Sequence, residues 1–201
     1  MKMDTKKITV IAMLCALAFT AVALGRVPVV LFLKYDPKAI VIVIGGLIWG
    51  PLVSLIVSVV VSTVEMFTIS GTGFYGLIMN VLSSCAFACP AAAVYRKKRT
   101  LSGAVLGLLL GCACMVGGMM LWNYLISPLY MGKSREEVAC LLVPAFLPFN
   151  LLKGGLNTLF TLLLYKPVVT ALRKARLVPD PAPLSGRRSA LGVGLVSAVL
   201  L

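Results

Sequence analysis

The sequence contains no histidine and little charge. Of its 201 residues, 12% are charged and 60% are hydrophobic, and the mean hydropathy is +1.04. A soluble domain is about a quarter charged and about half apolar, and a disordered chain has low hydrophobicity, so both classes are excluded. The composition instead fits an integral membrane protein of one compact domain. A spanning helix takes roughly 20 residues, so the length allows about five to seven spans.

Motifs of several enzyme classes are also missing. The chain has no GxxxxGK[ST] phosphate loop, no HExxH and no GxSxG, so we predict no catalytic residue and no ATPase activity of this type. The six cysteines include no CxxC pair, and without histidine no metal site or resident cofactor is predicted. Most of them lie in apolar runs, where cysteine packs as a small hydrophobic residue. Disulfide or metal chemistry is the alternative. Active transport would need energy from a partner or from an ion gradient.

Positive charge dominates the few ionisable residues, with 19 Lys+Arg against 6 Asp+Glu and a net charge of +13. The basic residues cluster at the ends of apolar runs, as at 96–99 and 173–176. The positive-inside rule places these clusters, and both termini, in the cytoplasm. Nucleic-acid binding is the alternative, but no aromatic residues interleave with the basic ones as single-strand binding requires.

The apolar runs predict an all-α fold of six transmembrane helices in a multi-pass membrane protein. The predicted helices cover residues 8–24, 37–49, 51–70, 75–95, 101–125 and 138–173. The last is expected to bend at Pro144 or Pro148, and 139–143 could form a separate short helix. The first run resembles a signal peptide, but its length and the lack of a clean cleavage site favour a retained helix.

Two regions outside the helices are also assigned. Residues 26–38 are predicted to form an external loop, since they carry several charges and follow the first span. Residues 1–176 form the membrane domain, and 177–201 form a linker and an apolar tail too short to span. No function is assigned to the tail.

Two ionisable side chains interrupt the predicted spans, Glu65 and Lys153. An intramembrane charge marks a functional site by default, and the alternative is a side chain that snorkels to the interface. Asn150, Lys153 and Asn157 lie three and four residues apart, so they share one helix face. Interhelical hydrogen bonding is the alternative for Asn157.

Two more amides, Asn80 and Asn123, belong to neighbouring predicted helices, Asn123 near the external end of its helix. Together with the stripe around Lys153 they predict a polar, externally facing pocket with little net charge. A flat heteroaromatic ligand with amide-like edges would suit such a pocket, since an amide offers both a donor and an acceptor.

Small residues at four-residue spacing mark two further helix faces. Ala12 and Ala16 form one such pattern, and Gly103, Gly107 and Gly111 form a longer one. Either pattern lets helices approach closely. Internal packing and docking to another membrane protein are both open for these faces.

Several short segments are distinctive: LKYDPK at 33–38, GPL at 50–52, EM at 65–66 with IS at 69–70, GLIMNVLSS at 76–84, LWNY at 121–124, PLYM at 128–131 and PAFLPFNLLKGGLN at 144–157. With these segments the chain resembles, over about 8–173, the substrate-binding S components of energy-coupling factor (ECF) vitamin transporters of the bacterial cell membrane, specifically the riboflavin-binding type.

The resemblance implies that six helices capture riboflavin from outside and deliver it by docking onto a transmembrane coupling subunit and two ATPase subunits. It implies that two Asn and a Lys hold the flavin ring, that the loop after the first helix lines or gates the site, and that Ala12 and Ala16 belong to the docking surface. The complete predicted ligand-binding set is Lys34, Tyr35, Asp36, Glu65, Asn80, Asn123, Asn150, Lys153 and Asn157.

Other functions stay open at this point. The first alternative is an S component that binds another vitamin or flavin mononucleotide. The phosphate of flavin mononucleotide could be contacted by Arg26, Lys34 or Lys38. A membrane enzyme with Glu65 as general base is another, and a scaffold that binds no small ligand is a third.

Overall fold

The structure is a computed structural model that describes residues 5–30, 33–71 and 73–175. Within these ranges the chain forms seven α-helices, a π-helical turn and a two-stranded antiparallel sheet. The elements are α1 (Thr5–Gly25), β1 (Val27–Val30), β2 (Leu33–Tyr35), α2 (Lys38–Trp49), α3 (Pro51–Thr68), α4 (Gly73–Lys97), α5 (Leu101–Met131), α6 (Arg135–Leu141), the π turn (Leu142–Phe146) and α7 (Leu147–Lys174). The predicted tail at 177–201 lies outside the described residues.

In the described part of the chain, five helical segments are long and apolar enough to cross a membrane. Four of them lie in α1, α3, α4 and α5, and the fifth runs through α6, the π turn and α7 as one 38-residue segment. α2 has 12 residues and is about 18 Å long, which is shorter than a full span. The predicted all-α membrane fold with six helical segments is confirmed, with α2 as its short member.

Proline and glycine set the breaks between these segments. α2 ends at Gly50, which has φ +100°, a value that glycine tolerates best, and α3 starts at once with Pro51 in its first turn. The predicted bend of the last helix lies at the π turn, which contains Pro144. Since proline cannot donate the usual helical hydrogen bond, a wider turn accommodates it there. The short helix before the bend covers Arg135–Leu141 rather than 139–143.

The connection between α1 and α2 is more ordered than the predicted loop. β1 and β2 pair antiparallel, with Val27 opposite Tyr35 and Pro28 opposite Lys34, and a register irregularity lies between Pro28 and Val30. β-branched valines favour this extended conformation. β1 and β2 therefore form a β-hairpin within the segment predicted as a loop, and Lys38, the last residue of that segment, already begins α2.

The helices pack through small and aliphatic side chains. Phe87, Leu108 and Met115 are fully buried in the core, where α4 meets α5. A Cβ atom at Gly107 or Gly111 would overlap the backbone of α4, so this glycine pattern serves internal packing. By contrast, Ala12 and Ala16 lie exposed on α1.

Large apolar side chains cover the outside of the bundle. Leu106, Leu109, Leu121, Leu159 and Leu163 are each about half exposed. So much exposed apolar surface would promote aggregation in water, whereas in a bilayer it faces lipid chains. The surface therefore agrees with the membrane assignment.

Candidate ligand-binding cavity

One end of the bundle contains a cavity of about 350 Å³, within the usual range for small-molecule sites. It lies among the last turns of α3, the first half of α4, the last third of α5, the first turns of α7 and the hairpin. Seven of the nine predicted ligand-binding residues line it: Lys34, Asp36, Glu65, Asn80, Asn123, Asn150 and Lys153. Sequence spacing predicted this convergence only for Asn150 and Lys153, which share a helix.

The other two predicted residues, Tyr35 and Asn157, contact each other. The Tyr35 hydroxyl donates to Asn157 Oδ1 over 3.1 Å and joins β2 to α7. Within the described part of the chain, neither residue is part of the cavity wall. Burial, with a smaller contribution from the charge of Asp36, raises the pKa of Tyr35 to about 12, so its hydroxyl keeps its proton. Both residues therefore support the wall from behind.

In two side-chain amides of the wall, one polar atom is already hydrogen-bonded within the same helical segment. Ser127 Oγ donates to Asn123 Oδ1 over 3.0 Å, and Asn150 Nδ2 donates to the carbonyl oxygen of Phe146 over 2.8 Å. The opposite amide atoms are therefore available to a ligand: a donor nitrogen at Asn123 and an acceptor oxygen at Asn150. Both side chains are buried, so their orientations are restricted before any ligand binds.

Glu65 is fully buried and forms two ion pairs. Its Oε1 accepts from Arg26, which precedes β1, and its Oε2 accepts from Lys38, the first residue of α2. Arg26 also donates to the carbonyl oxygen of Ile69 over 3.5 Å. The side chain therefore does not snorkel to the interface. A general base needs an oxygen that can accept a proton, and the two adjacent cations disfavour that role for Glu65.

Arg26 and Lys38 were not among the predicted site residues. Sequence reasoning placed both in an external loop, yet Lys38 is 1% exposed and Arg26 lines the cavity. Charge balance could have found them, because a buried carboxylate needs a cation and these two flank the adjacent connection. Glu65 pairs with these two cations, whereas Lys153, the other charge in the predicted spans, pairs with Asp36.

Lys153 pairs with Asp36, the residue that follows β2. Its Nζ lies 3.5 Å from Asp36 Oδ2, and both residues are buried. Burial alone would raise the pKa of Asp36, but the positive charges of Lys153, Lys38 and Arg26 outweigh it and hold that pKa below its ordinary value. Within the described residues Asp36 Oδ1 has no hydrogen-bond partner, which leaves it as a buried acceptor at the cavity.

Comparison with known proteins identifies the family. Residues 6–165 match the family model described as "ECF transporter, substrate-specific component". The chain belongs to this family. It is therefore a multi-pass membrane protein that serves as the substrate-specific component of a transporter, and the family resemblance found in the sequence is confirmed.

Individual relatives support the same assignment along most of the chain. Riboflavin transporter FmnP of Bacillus subtilis (strain 168) is 30% identical over 192 residues, which cover 87% of this chain and 100% of the relative. Riboflavin transporter RibU of Staphylococcus aureus (strain TCH60) is 24% identical over 180 residues, which cover 85% of this chain and 94% of the relative.

A solved structure agrees with the fold. The structure reported as "Structure and mechanism of the S component of a bacterial ECF transporter" superposes with a TM-score of 0.73 at 25% identity. The match covers 85% of this chain and 99% of that structure. The helical arrangement that forms the cavity is therefore shared with a known S component.

Proposed function

We propose that the cavity binds riboflavin and that this protein is the riboflavin-specific component of an ECF importer. The observation that carries the proposal is the convergence of Asn123, Asn150 and Lys153 on one cavity wall. The names of the relatives, riboflavin transporters, support the choice of ligand.

The hydrogen-bonding edge of the flavin ring matches the available atoms. Its imide presents a carbonyl, an N–H and a second carbonyl in one plane. The nitrogen of Asn123 and the ammonium of Lys153 donate to such carbonyls, while the oxygen of Asn150 accepts from an N–H. Met79, Met119 and Phe149 supply apolar surface for the faces of the ring.

The remaining predicted residues have supporting roles in this proposal. Asn80, Lys34 and Asp36 line the same cavity and offer donors and acceptors for the ribityl hydroxyls. Tyr35 and Asn157 act through the hairpin, since they bond to each other.

Transport requires a partner in this proposal. The chain carries no phosphate-loop motif, so the energy comes from two ATPase subunits through a transmembrane coupling subunit. The proposed docking surface is the face of α1 with Ala12 and Ala16, which is exposed and lined by small side chains. In this proposal the protein itself performs no catalysis, residues 1–176 form the membrane domain, and both termini of the chain lie in the cytoplasm.

A titration tests the proposed ligand. The purified protein in detergent is titrated with riboflavin, and flavin fluorescence is followed. Saturable quenching at one ligand per chain is expected, with much weaker binding by Lys153→Ala. A protein that never quenches riboflavin, although it is folded, would contradict the assignment to this vitamin, and other vitamins would then be screened.

Flavin mononucleotide is a second candidate because positive charge exceeds negative charge on the cavity wall. Arg26, Lys34 and Lys153 line the cavity against Asp36 and Glu65, and Lys34 is exposed. Competition between the two flavins distinguishes them. If the phosphate binds at the exposed cation, Lys34→Ala weakens binding of the mononucleotide much more than it weakens binding of riboflavin.

A further inference from the structure

The residues that flank the β-hairpin on both sides pair with one carboxylate. Arg26, the residue before β1, and Lys38, the first residue of α2, pair with different oxygens of Glu65 in α3. These partners are 39 and 27 residues from Glu65 in the chain. Glu65 therefore closes the connection between α1 and α2 into a loop with a common anchor point.

The environment of this anchor makes it strong. The side chains of Glu65 and Lys38 are each 1% exposed, so neither charge can turn to water if the other is removed. Removing one partner of a buried ion pair leaves an uncompensated charge and is strongly destabilising. Arg26 is 22% exposed and forms the outer part of the anchor.

The hairpin that this anchor holds also forms part of the cavity. Lys34 and Asp36 belong to the wall, and Asp36 faces Lys153 across 3.5 Å. Tyr35 reaches Asn157 of α7 from the same strand. If the ends of the hairpin separate from α3, these contacts with α7 are lost as well, and the cavity opens on that side.

We propose that Glu65 is a positioning residue that holds the hairpin as one wall of the cavity and so sets how slowly the ligand leaves. Both carboxylate oxygens are engaged by Arg26 and Lys38, so Glu65 acts through the hairpin and not through a bond to the ligand. The kinetic part of this inference rests on the proposed function, since it needs riboflavin as the ligand.

The first experiment uses no ligand. Protein in nanodiscs is digested with trypsin, and cleavage after Lys34 is compared with cleavage at the basic cluster 96–99, which serves as an internal reference. Glu65→Gln is expected to raise cleavage after Lys34 roughly tenfold or more, because it removes the charge shared by two cations. Glu65→Asp, which keeps the charge, restores part of the protection. Glu137→Gln, an exposed carboxylate on α6, matches the unaltered protein.

Variants on the hairpin side make the same test if Glu65→Gln does not fold. Arg26→Gln and Lys38→Met each remove one partner and leave Glu65 in place. Both are expected to increase cleavage after Lys34 relative to 96–99. Cleavage after Lys34 that is unchanged in the folded variants would overturn the proposal.

The second experiment measures riboflavin dissociation by stopped-flow fluorescence recovery. Glu65→Gln and Arg26→Gln are each expected to speed dissociation roughly tenfold or more, and the double variant is no faster than the faster single one, because both act through one anchor. Additive effects with normal protection of Lys34 would make Glu65 a ligand contact and overturn the proposal. If the unaltered protein does not bind riboflavin, the proposed function fails, while the digestion still decides the role of Glu65.

Discussion

The α4–α5 helix pair is closely packed at one end and open at the other. The face of α5 that packs into the protein carries Gly107, Gly111, Met115, Met119 and Asn123, four residues apart, and all five are buried. At the glycine end, α5 approaches the backbone of α4 so closely that a Cβ atom would overlap it. At the other end, Met119 and Asn123 line the cavity.

This difference shows how one face of α5 can form both a close helix contact and part of a cavity wall. Glycines let two backbones touch, while methionines and an asparagine at the same spacing hold the helices apart. A spacing of four residues therefore places a residue on the face, and the size of its side chain determines what that face does. Packing and binding should be separable by mutation along this one stripe.

The largest expected effect is at the packed end. Gly111→Leu places a side chain on the carbonyl oxygen of Phe87, a backbone atom that cannot turn away, and should cost about 3 kcal/mol or more of folding free energy. Gly117→Leu is the matched control, because nothing lies within 4 Å of a Cβ atom there. Thermal unfolding in detergent measures both. Equal melting temperatures for the two variants would mean that the close approach at Gly111 does not stabilise the fold.

The alanine pattern on α1 sharpens the comparison, because it has the same spacing as the glycines but is exposed. Ala12→Trp should leave folding and riboflavin binding unchanged and abolish uptake in cells that supply the coupling and ATPase subunits, since a bulky residue blocks close helix approach. Leu109→Trp, on an exposed face of α5, is the control and should support uptake. Uptake of labelled riboflavin is the measurement. Normal uptake by Ala12→Trp would contradict docking at this face.

The sequence was sufficient to predict the helices and most of the wall, for identifiable reasons. Apolar runs and breaks such as Trp49-Gly50-Pro51 placed most helix ends close to their positions in the structure, because these signals are local. The predicted end of the fifth helix at residue 125 was wrong, since α5 continues through Pro128 to Met131. The pairs that Glu65 forms with Arg26 and Lys38 could not be predicted in this way. They join residues far apart in the chain, and helical spacing relates only residues on one helix.

A moderate effect is expected at the open end. Lys153→Ala should weaken riboflavin binding by about 1–3 kcal/mol, the usual cost of losing a buried hydrogen-bond partner. Lys166→Ala, an exposed lysine of the same helix, should bind normally. Isothermal titration calorimetry gives the dissociation constants. If Lys153→Ala binds riboflavin as tightly as the unaltered protein, Lys153 is not a ligand contact.

The smallest expected effect is that of pH on riboflavin binding, and it again concerns the difference between the packed end and the cavity end of the α4–α5 pair. Gly107, Gly111 and Met115 cannot titrate, whereas the wall of the cavity contains ionisable side chains. There, neighbouring cations hold the pKa of Asp36 below its ordinary value of about 4. A group with a lowered folded pKa contributes stability that is present above the unfolded pKa and is lost as the pH falls through the folded pKa.

The dissociation constant for riboflavin should therefore change by less than about twofold between pH 5 and pH 7, because Asp36 stays ionised throughout this window. Tyr35, with a pKa of about 12, stays neutral there too. Titrations at one-unit steps make the measurement, with Asp36→Asn as the control that binds more weakly and is equally flat. Binding that weakens steadily from pH 7 to pH 5, and does so only when Asp36 is present, would mean that Asp36 gains its proton in this range. The cations around it, Lys153 first among them, would then not hold its charge as the structure indicates.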